Sequence, residues 1–584
     1  MTTNNHSALG SQLSAALRAV ALVALGVVAP VAHSGESAAP ESAAPEPVLH
    51  AAHSDATAGM PASSSLQMPL FDNLGTHTHE ISTSSAAAQS YFNQGYRFLF
   101  NFNHAAAIAS FREALRRDAD CAMCWWGIAF AYGPNINMPM MPDAIAPAYE
   151  AVQKALALNG HANAAEKAYI AALAKRYSQD PQADRAALDR AFAAAMREVV
   201  HAYPDDLDAA TLYAESLMDT SPWNYWQADK RTPTAGLEDL EPTLQSVLKR
   251  QPDHPGAEHL FIHAVEASAD PGRAEAAADR LGAQMPGAGH LVHMPSHIYN
   301  RVGRYADGVS WNEKAAKADE DYFAATDDRG MYLGMYFVHN LHFIWTTAST
   351  EGRSVMALDA ARRVVAATPL QMAHDMPPME LFLPTKLLAQ LRFAKWQEVL
   401  ATAAPDSSFH FATAMWRYAR ARAFAAKHDI AHARQEQAKI LSAFPAAEDQ
   451  RFTNFGVPGL QLVQIAAHVA QADIYRAQKN LSRELSELRS LVTLQDGLPY
   501  MEPPYWDFPV REHLGAALLA ARRAKEAESV YRKDLAEWPK NGWSLLGLSQ
   551  ALEQQGKKRQ AVAVRAQFRQ AWARADIQLT HSRF

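Results

Sequence analysis

The sequence predicts an all-α chain built as an array of antiparallel helix pairs. Three observations predict it. The text is rich in Ala, Leu and Gln, which favour helix. Its 584 residues are about twice what one compact core holds, so the chain forms several domains or one elongated array. And apolar and small residues recur at a period of about 34 residues, the signature of stacked two-helix units.

The period is clearest near the start. Tyr91, Gly95 and Phe98 fall on one helix, and Ala107, Phe111 and Ala114 on the next. Trp125, Ala129 and Tyr132 then repeat the first triplet one period later. Further along, Ala274 and Pro286 phase a unit starting at 255, and Gly303, Tyr305 and Ala315 one starting at 289. Gly352, Ala357 and Pro369 phase a unit starting at 338, and Gly515, Ala527, Tyr531 and Pro539 another near the end. A last pair opens at N-G-W-S-L-L-G-L-S-Q-A-L and runs through Trp572. Interruptions are expected at 133–143, 220–240, 320–337, 370–384 and 495–510.

With aromatics at repeat positions 4, 11 and 24, a small residue at 8 and Ala at 20 and 27, the chain resembles the tetratricopeptide repeat family. C-A-M-C-W-W-G and H-M-P-S-H-I-Y resemble a group of large exported bacterial members, which implies no activity. The resemblance implies an α-solenoid over 85–576 whose units contact mainly their neighbours and leave a concave face for ligands.

The flanks read differently. Arg18 followed by A-V-A-L-V-A-L-G-V-V-A-P-V-A is a signal-peptide pattern ending in small residues, which sets residues 1–34 apart as a leader and the mature chain as exported, periplasmic or extracellular. An uncleaved membrane anchor is the rival reading. Residues 35–84 are an Ala/Pro/Ser-rich flexible linker and lead-in, and 577–584 a C-terminal tail. No other segment is apolar and long enough to span a membrane. A net charge of −7 without a basic block argues against nucleic acid as a partner. Two cysteines supply no disulfide framework, so the fold comes from packing.

Seven histidines occupy three short stretches: His259 and His263; His290, His293 and His297; His339 and His342. Spacings of three, four and seven place side chains on one helical stripe, which Glu266 extends. On the phases above they take repeat positions 2, 5 and 9, and Glu266 takes 12. In the family, positions 2, 5, 9, 12 and 13 line the groove, so the resemblance implies that all seven face it. Imidazoles from adjacent first helices then converge, the arrangement a transition-metal site requires. Imidazole suits Cu, Zn and Fe, and seven ligands exceed one tetrahedral ion, so two ions are an option. His259, His263 and Glu266 would leave open positions for water or substrate, with Glu266 a ligand or a general base and the candidate catalytic residue. Leu260 follows His259, which excludes the zinc-protease helix motif. Pro295 is expected to kink the second stripe. The alternatives are a groove that binds a peptide of an envelope partner, histidines that serve structure alone, and a pH-linked role.

His104, Cys121, Cys124 and G-P-N-I-N-M-P-M-M-P form a second place of interest. The favoured reading is a buried cysteine pair, with a disulfide next. A redox pair, or soft-metal ligands joined by Met138, Met140 and Met141, are the functional alternatives. Trp125 after Cys124 excludes c-type haem attachment. Glu215 and Asp219 fall at groove positions 9 and 13 of a unit starting at 207. The rigid E-P-P-Y-W-D-F-P at 502–509 either covers the groove, binds a ligand face or caps an apolar edge. No nucleotide-binding glycine loop and no serine-nucleophile context is present.

Overall fold

The computed structural model describes residues 68–584. The leader, and the tether up to residue 67, lie outside the described residues. Among those described, the chain is an all-helical solenoid of antiparallel pairs with no strand, only two isolated bridges in loops. No described helix is long and apolar enough to cross a membrane.

Glycine and aromatic residues set the pairing by the same device at both ends. Phe111, on helix His104–Arg117, lies between Gly95 of Ala86–Phe100 and Gly127 of Ala122–Ala131. A Cβ on either glycine would sit 2.6 Å from the ring. Tyr531 lies likewise between Gly515 and Gly547, where added Cβ atoms would come within 2.3 and 2.1 Å. Both aromatics are fully buried. Each fills the space three helices leave, so Phe111→Ala should cost about 3–5 kcal/mol and Gly95→Ala about 1–3 kcal/mol through overpacking.

The phased first helices begin where the repeat places them: Leu207–Asp219, Pro255–Glu266, Gly289–His293 and Val338–Thr350. Pro295 divides the second stripe into Gly289–His293 and Pro295–Val302, because a proline ring fits the first turn of a helix but not its interior. The interruption at 320–337 is smaller than expected. Helix Tyr305–Thr326 runs on, and after a short loop the π-helical turn Leu333–Phe337 leads straight into Val338–Thr350.

Residues 68–84, the lead-in, pack on the solenoid: Met68, Leu74 and Ile81 are buried in the core. Residues 577–584 fold back, with Ser582 hydrogen-bonded to Tyr531 and Phe584 against Trp543.

The array also closes on itself rather than touching only sequence neighbours. The end of Ala86–Phe100 meets Pro255–Glu266, where Phe100 fills the space over Gly256. Asn101 bonds Tyr332 and the Leu291 amide. At the other end Trp543 Nε1 donates to the Ser349 carbonyl at 3.0 Å. These contacts join helices far apart in the sequence.

Candidate metal centre

Six of the seven histidines meet in two adjoining trios, His259–His263–His290 and His293–His297–His339, each with its nitrogens within 4.8 Å of one another. His263 and His297, one from each trio, have ring centroids 5.3 Å apart. His259, His263, His290, His293 and His297 are at most 2% exposed. His342 stands outside both trios, against Trp345 and Phe382, with Nε2 3.5 Å from Asp507 Oδ1.

The proton positions follow from what each ring's outer nitrogen touches. His263 Nδ1 lies 2.7 Å from Glu266 Oε1 and His297 Nδ1 2.6 Å from Glu266 Oε2. Burial opposes the charge on Glu266, but these two imidazoles hold its carboxyl down at about 2. An ionised carboxylate only accepts, so both Nδ1 atoms carry a proton, and in the neutral rings both Nε2 atoms are lone pairs.

His293 Nδ1 lies 2.6 Å from Asn312 Oδ1, and Asn312 Nδ2 donates to the Gly308 carbonyl and Ser296 Oγ, which fixes the amide's orientation. His293 Nε2 is therefore a lone pair as well. His259 donates to the Phe100 carbonyl and turns Nε2 inward. Four imidazoles thus present basic Nε2 atoms to one space, each oriented through its other nitrogen by a carboxylate, amide or carbonyl.

In the neutral rings the lone pairs of His293 and His297 face each other with no proton between them. His293 and His297 Nε2 are 2.8 Å apart, and His259 and His290 Nε2 3.1 Å. His263 Nε2 and His290 Nδ1 are buried with no partner. Two nitrogens bound at ~2.0–2.1 Å to one ion, at angles between square and tetrahedral, lie roughly 2.9–3.4 Å apart. The observed separations fall close to that range. Burial first, and then the neighbouring imidazoles, hold His259, His290, His293 and His339 well below the usual histidine value. Burial also lowers His263, against the pull of Glu266. Neutral imidazole is the ligating form.

Several neighbours were not foreseen. Asn312 takes repeat position 24 of the unit starting at 289, where Phe111 and Tyr531 stand elsewhere. A polar residue at that aromatic position was a legible signal. Phe102, in the left-handed region at φ 52°, packs on His259 and His290. Tyr336, set by the π-helical turn, packs on His290 at 4.6 Å. Both contacts span too much sequence to be read from spacing.

A cavity of about 720 Å3 opens on the centre, exposing His263, His290, His297, His339 and His342. Its walls include Trp223, Met138, Met140, Met141, Met335 and Met379. Residues 502–508 form another wall of the cavity. The methionines of the 138–141 run line the same cavity as the histidines.

Cys121 and Cys124 are joined as a buried disulfide in the first turn of Ala122–Ala131. Disulfide sulfur is not thiolate, so in this form the pair is no soft-metal site. His104 is half-buried beside Asn135. Asp219 pairs with Arg176 at 2.6 Å and lines the cavity, and burial raises it to about 6. Glu215 is buried one turn away and raised by burial to about 8.

A second histidine cluster escaped notice in the sequence. His77 and His79, from the lead-in, and His254 bond Asp208 at 3.0, 2.7 and 3.1 Å.

No protein-family model matches the chain. Comparison with curated proteins yields no match. Among solved structures, a human IFIT1 dimer with PPP-AAAA aligns over 84% of this chain and 92% of its own, at 12% identity and a TM-score of 0.32. Yeast Tom70 aligns over 83% and 92%, at 12% identity and 0.28. The fold assignment rests on the helix pairing itself.

Proposed function

We propose that the two imidazole trios hold a pair of transition-metal ions, and that the protein is a metal-binding solenoid with a metalloenzyme's site. The observation that carries this reading is the set of inward Nε2 lone pairs fixed by outer hydrogen bonds. His259, His263 and His290 serve one ion, and His293, His297 and His339 the other. Glu266 orients rather than ligates, since both its oxygens receive Nδ1 protons. His342 lines the pocket. Copper is favoured over zinc and iron: copper tops the affinity order for nitrogen ligands, and methionines line the approach. The export pattern at the N-terminus fits an oxidising, copper-accessible compartment.

The rival reading, a scaffold gripping an envelope partner's peptide, has less support. Residues 501–508 of the chain itself line the groove, and the Tyr500 hydroxyl donates to Glu266 at 3.2 Å. Elemental analysis of untagged protein after copper reconstitution and exhaustive dialysis tests the proposal. Two ions per chain are expected; less than a tenth of an ion with copper, zinc and iron each supplied would refute it.

A further inference from the structure

The cavity beside the trios is lined by thioether as well as imidazole. Eight of the sequence's 19 methionines lie on its wall. Methionine fills irregular gaps in cores, but gap-filling scatters it through a structure rather than gathering it at one cavity.

The densest gathering is built on the π-helical turn Leu333–Phe337. Met376 and Met379 are buried together, and Met331, Met335 and Met372 pack against them. Met372 stands on the short helix Leu370–Asp375 and Met379 on Pro377–Glu380. Pro377 ends the first helix and opens the second, and it holds Met376 extended between them at φ −121° and ψ 99°. Gly334 lets the sulfurs in close. Met372 Sδ occupies the space where a Cβ on Gly334 would stand, and the Met379 methyl lies 3.5 Å from the same point.

The same turn joins this cluster to the imidazoles. Met335 and His339 are four residues apart on continuous helical backbone, and both face the cavity. Met376 and Met379 reach the cavity wall as well. Met335 is half-buried and open to the cavity, where a purely space-filling side chain would be sealed in the core. Thioether is a soft, neutral donor that selects Cu(I) over harder divalent ions.

We propose that Met335, Met376 and Met379 bind one Cu(I) ion at the cavity wall, in a site separate from the imidazole trios. Its donors are sulfur alone, so it goes beyond the metal reading above and does not depend on it. Cu(II) is harder and binds thioether weakly, so aerobic reconstitution loads only the two ions of the trios. Cu(I) loads a third, beside the trio that holds His339.

The test uses full-length, untagged protein titrated anaerobically with Cu(I). Copper is counted by elemental analysis after a chelator wash, and its ligands are read by X-ray absorption. Three ions per chain and a sulfur shell are expected, against two ions without sulfur after aerobic loading with Cu(II). Leucine replaces methionine with little change of volume. Met335→Leu/Met376→Leu/Met379→Leu should therefore keep its helicity and its two Cu(II) ions, and lose both the third Cu(I) ion and the sulfur shell. No Cu(I) beyond the aerobic count and no sulfur shell in the unsubstituted protein would overturn the thioether site and leave the trios standing. A third ion and a sulfur shell that persist in the triple variant would overturn these three residues as its ligands. One sulfur-bound Cu(I) with no Cu(II) retained would uphold the thioether site and overturn the metal reading of the trios.

Discussion

Two histidine clusters sit among the described residues, and they are built to opposite ends. The central one joins His259, His263, His290, His293, His297 and His339, and the other joins His77, His79 and His254 around Asp208. Each brings nitrogens within coordination reach. The difference lies in the second nitrogen. His254 is the N-cap of Pro255–Glu266, and its Nδ1 accepts from the Ala257 amide at 3.2 Å. Its proton must then lie on Nε2, pointing at Asp208. His77 and His79 likewise donate to the same carboxylate. That cluster points protons inward at an anion and needs no cation. The central cluster puts carboxylate, amide and carbonyl acceptors outside and leaves bare nitrogens inside. Proximity of histidines does not define a metal site; the acceptors behind them do.

The comparison can be broken most severely at the central trios. His293→Ala/His297→Ala should reduce bound copper from two ions to one or none per chain, read by elemental analysis, with helicity by circular dichroism retained. Glu266→Gln keeps the shape but frees the outer nitrogens' tautomers. It should weaken copper binding roughly 10–100-fold in a chelator competition. Asn312→Leu strands one imidazole N–H in a dry core and should cost about 1–3 kcal/mol in the same assay, with Asn312→Asp retaining most of the affinity.

On the other side, Asp208→Asn should leave copper stoichiometry and affinity unchanged. It should loosen residues 68–84, seen as faster hydrogen exchange there, by about 1–3 kcal/mol. A loss of metal on Asp208→Asn would dissolve the distinction.

The smallest effect is one of pH. Burial opposes charging His79, but the bond to Asp208 and the charges of Asp208, Asp206 and Glu166 win, and its value is raised. A raised histidine contributes stability that is complete below about 6.5 and lost as pH rises through the raised value. Exchange protection at 77–85, corrected for intrinsic rates, should therefore decline from pH 6 to pH 9. A flat profile would contradict the arrangement.

Much of the fold was legible because small and aromatic residues must recur wherever two helices touch. Gly95, Phe111 and Gly515 announce their neighbours. The three histidine stripes were legible for the same reason, and Pro295 disclosed the break between Gly289–His293 and Pro295–Val302. Closure of the array was not. Asn101 to Leu291 and Trp543 to Ser349 join residues whose pairing depends on superhelical twist, which accumulates from small rotations per repeat that no motif encodes. For the same reason His77 and His79 read as part of a polar lead-in until Asp208 and His254 were seen opposite them. Asn312 is the intermediate case, visible as an exception to position 24 once that position is known to face the core.

The most direct measurement is a crystal structure of the copper-reconstituted protein with anomalous scattering at the copper edge. The account predicts two peaks, one within bonding reach of Nε2 in His293 and His297 and the other of Nε2 in His259 and His263. Glu266 should remain on the Nδ1 side of its two imidazoles. Peaks at His77, Asp208 and His254 instead, or none at either trio, would contradict it.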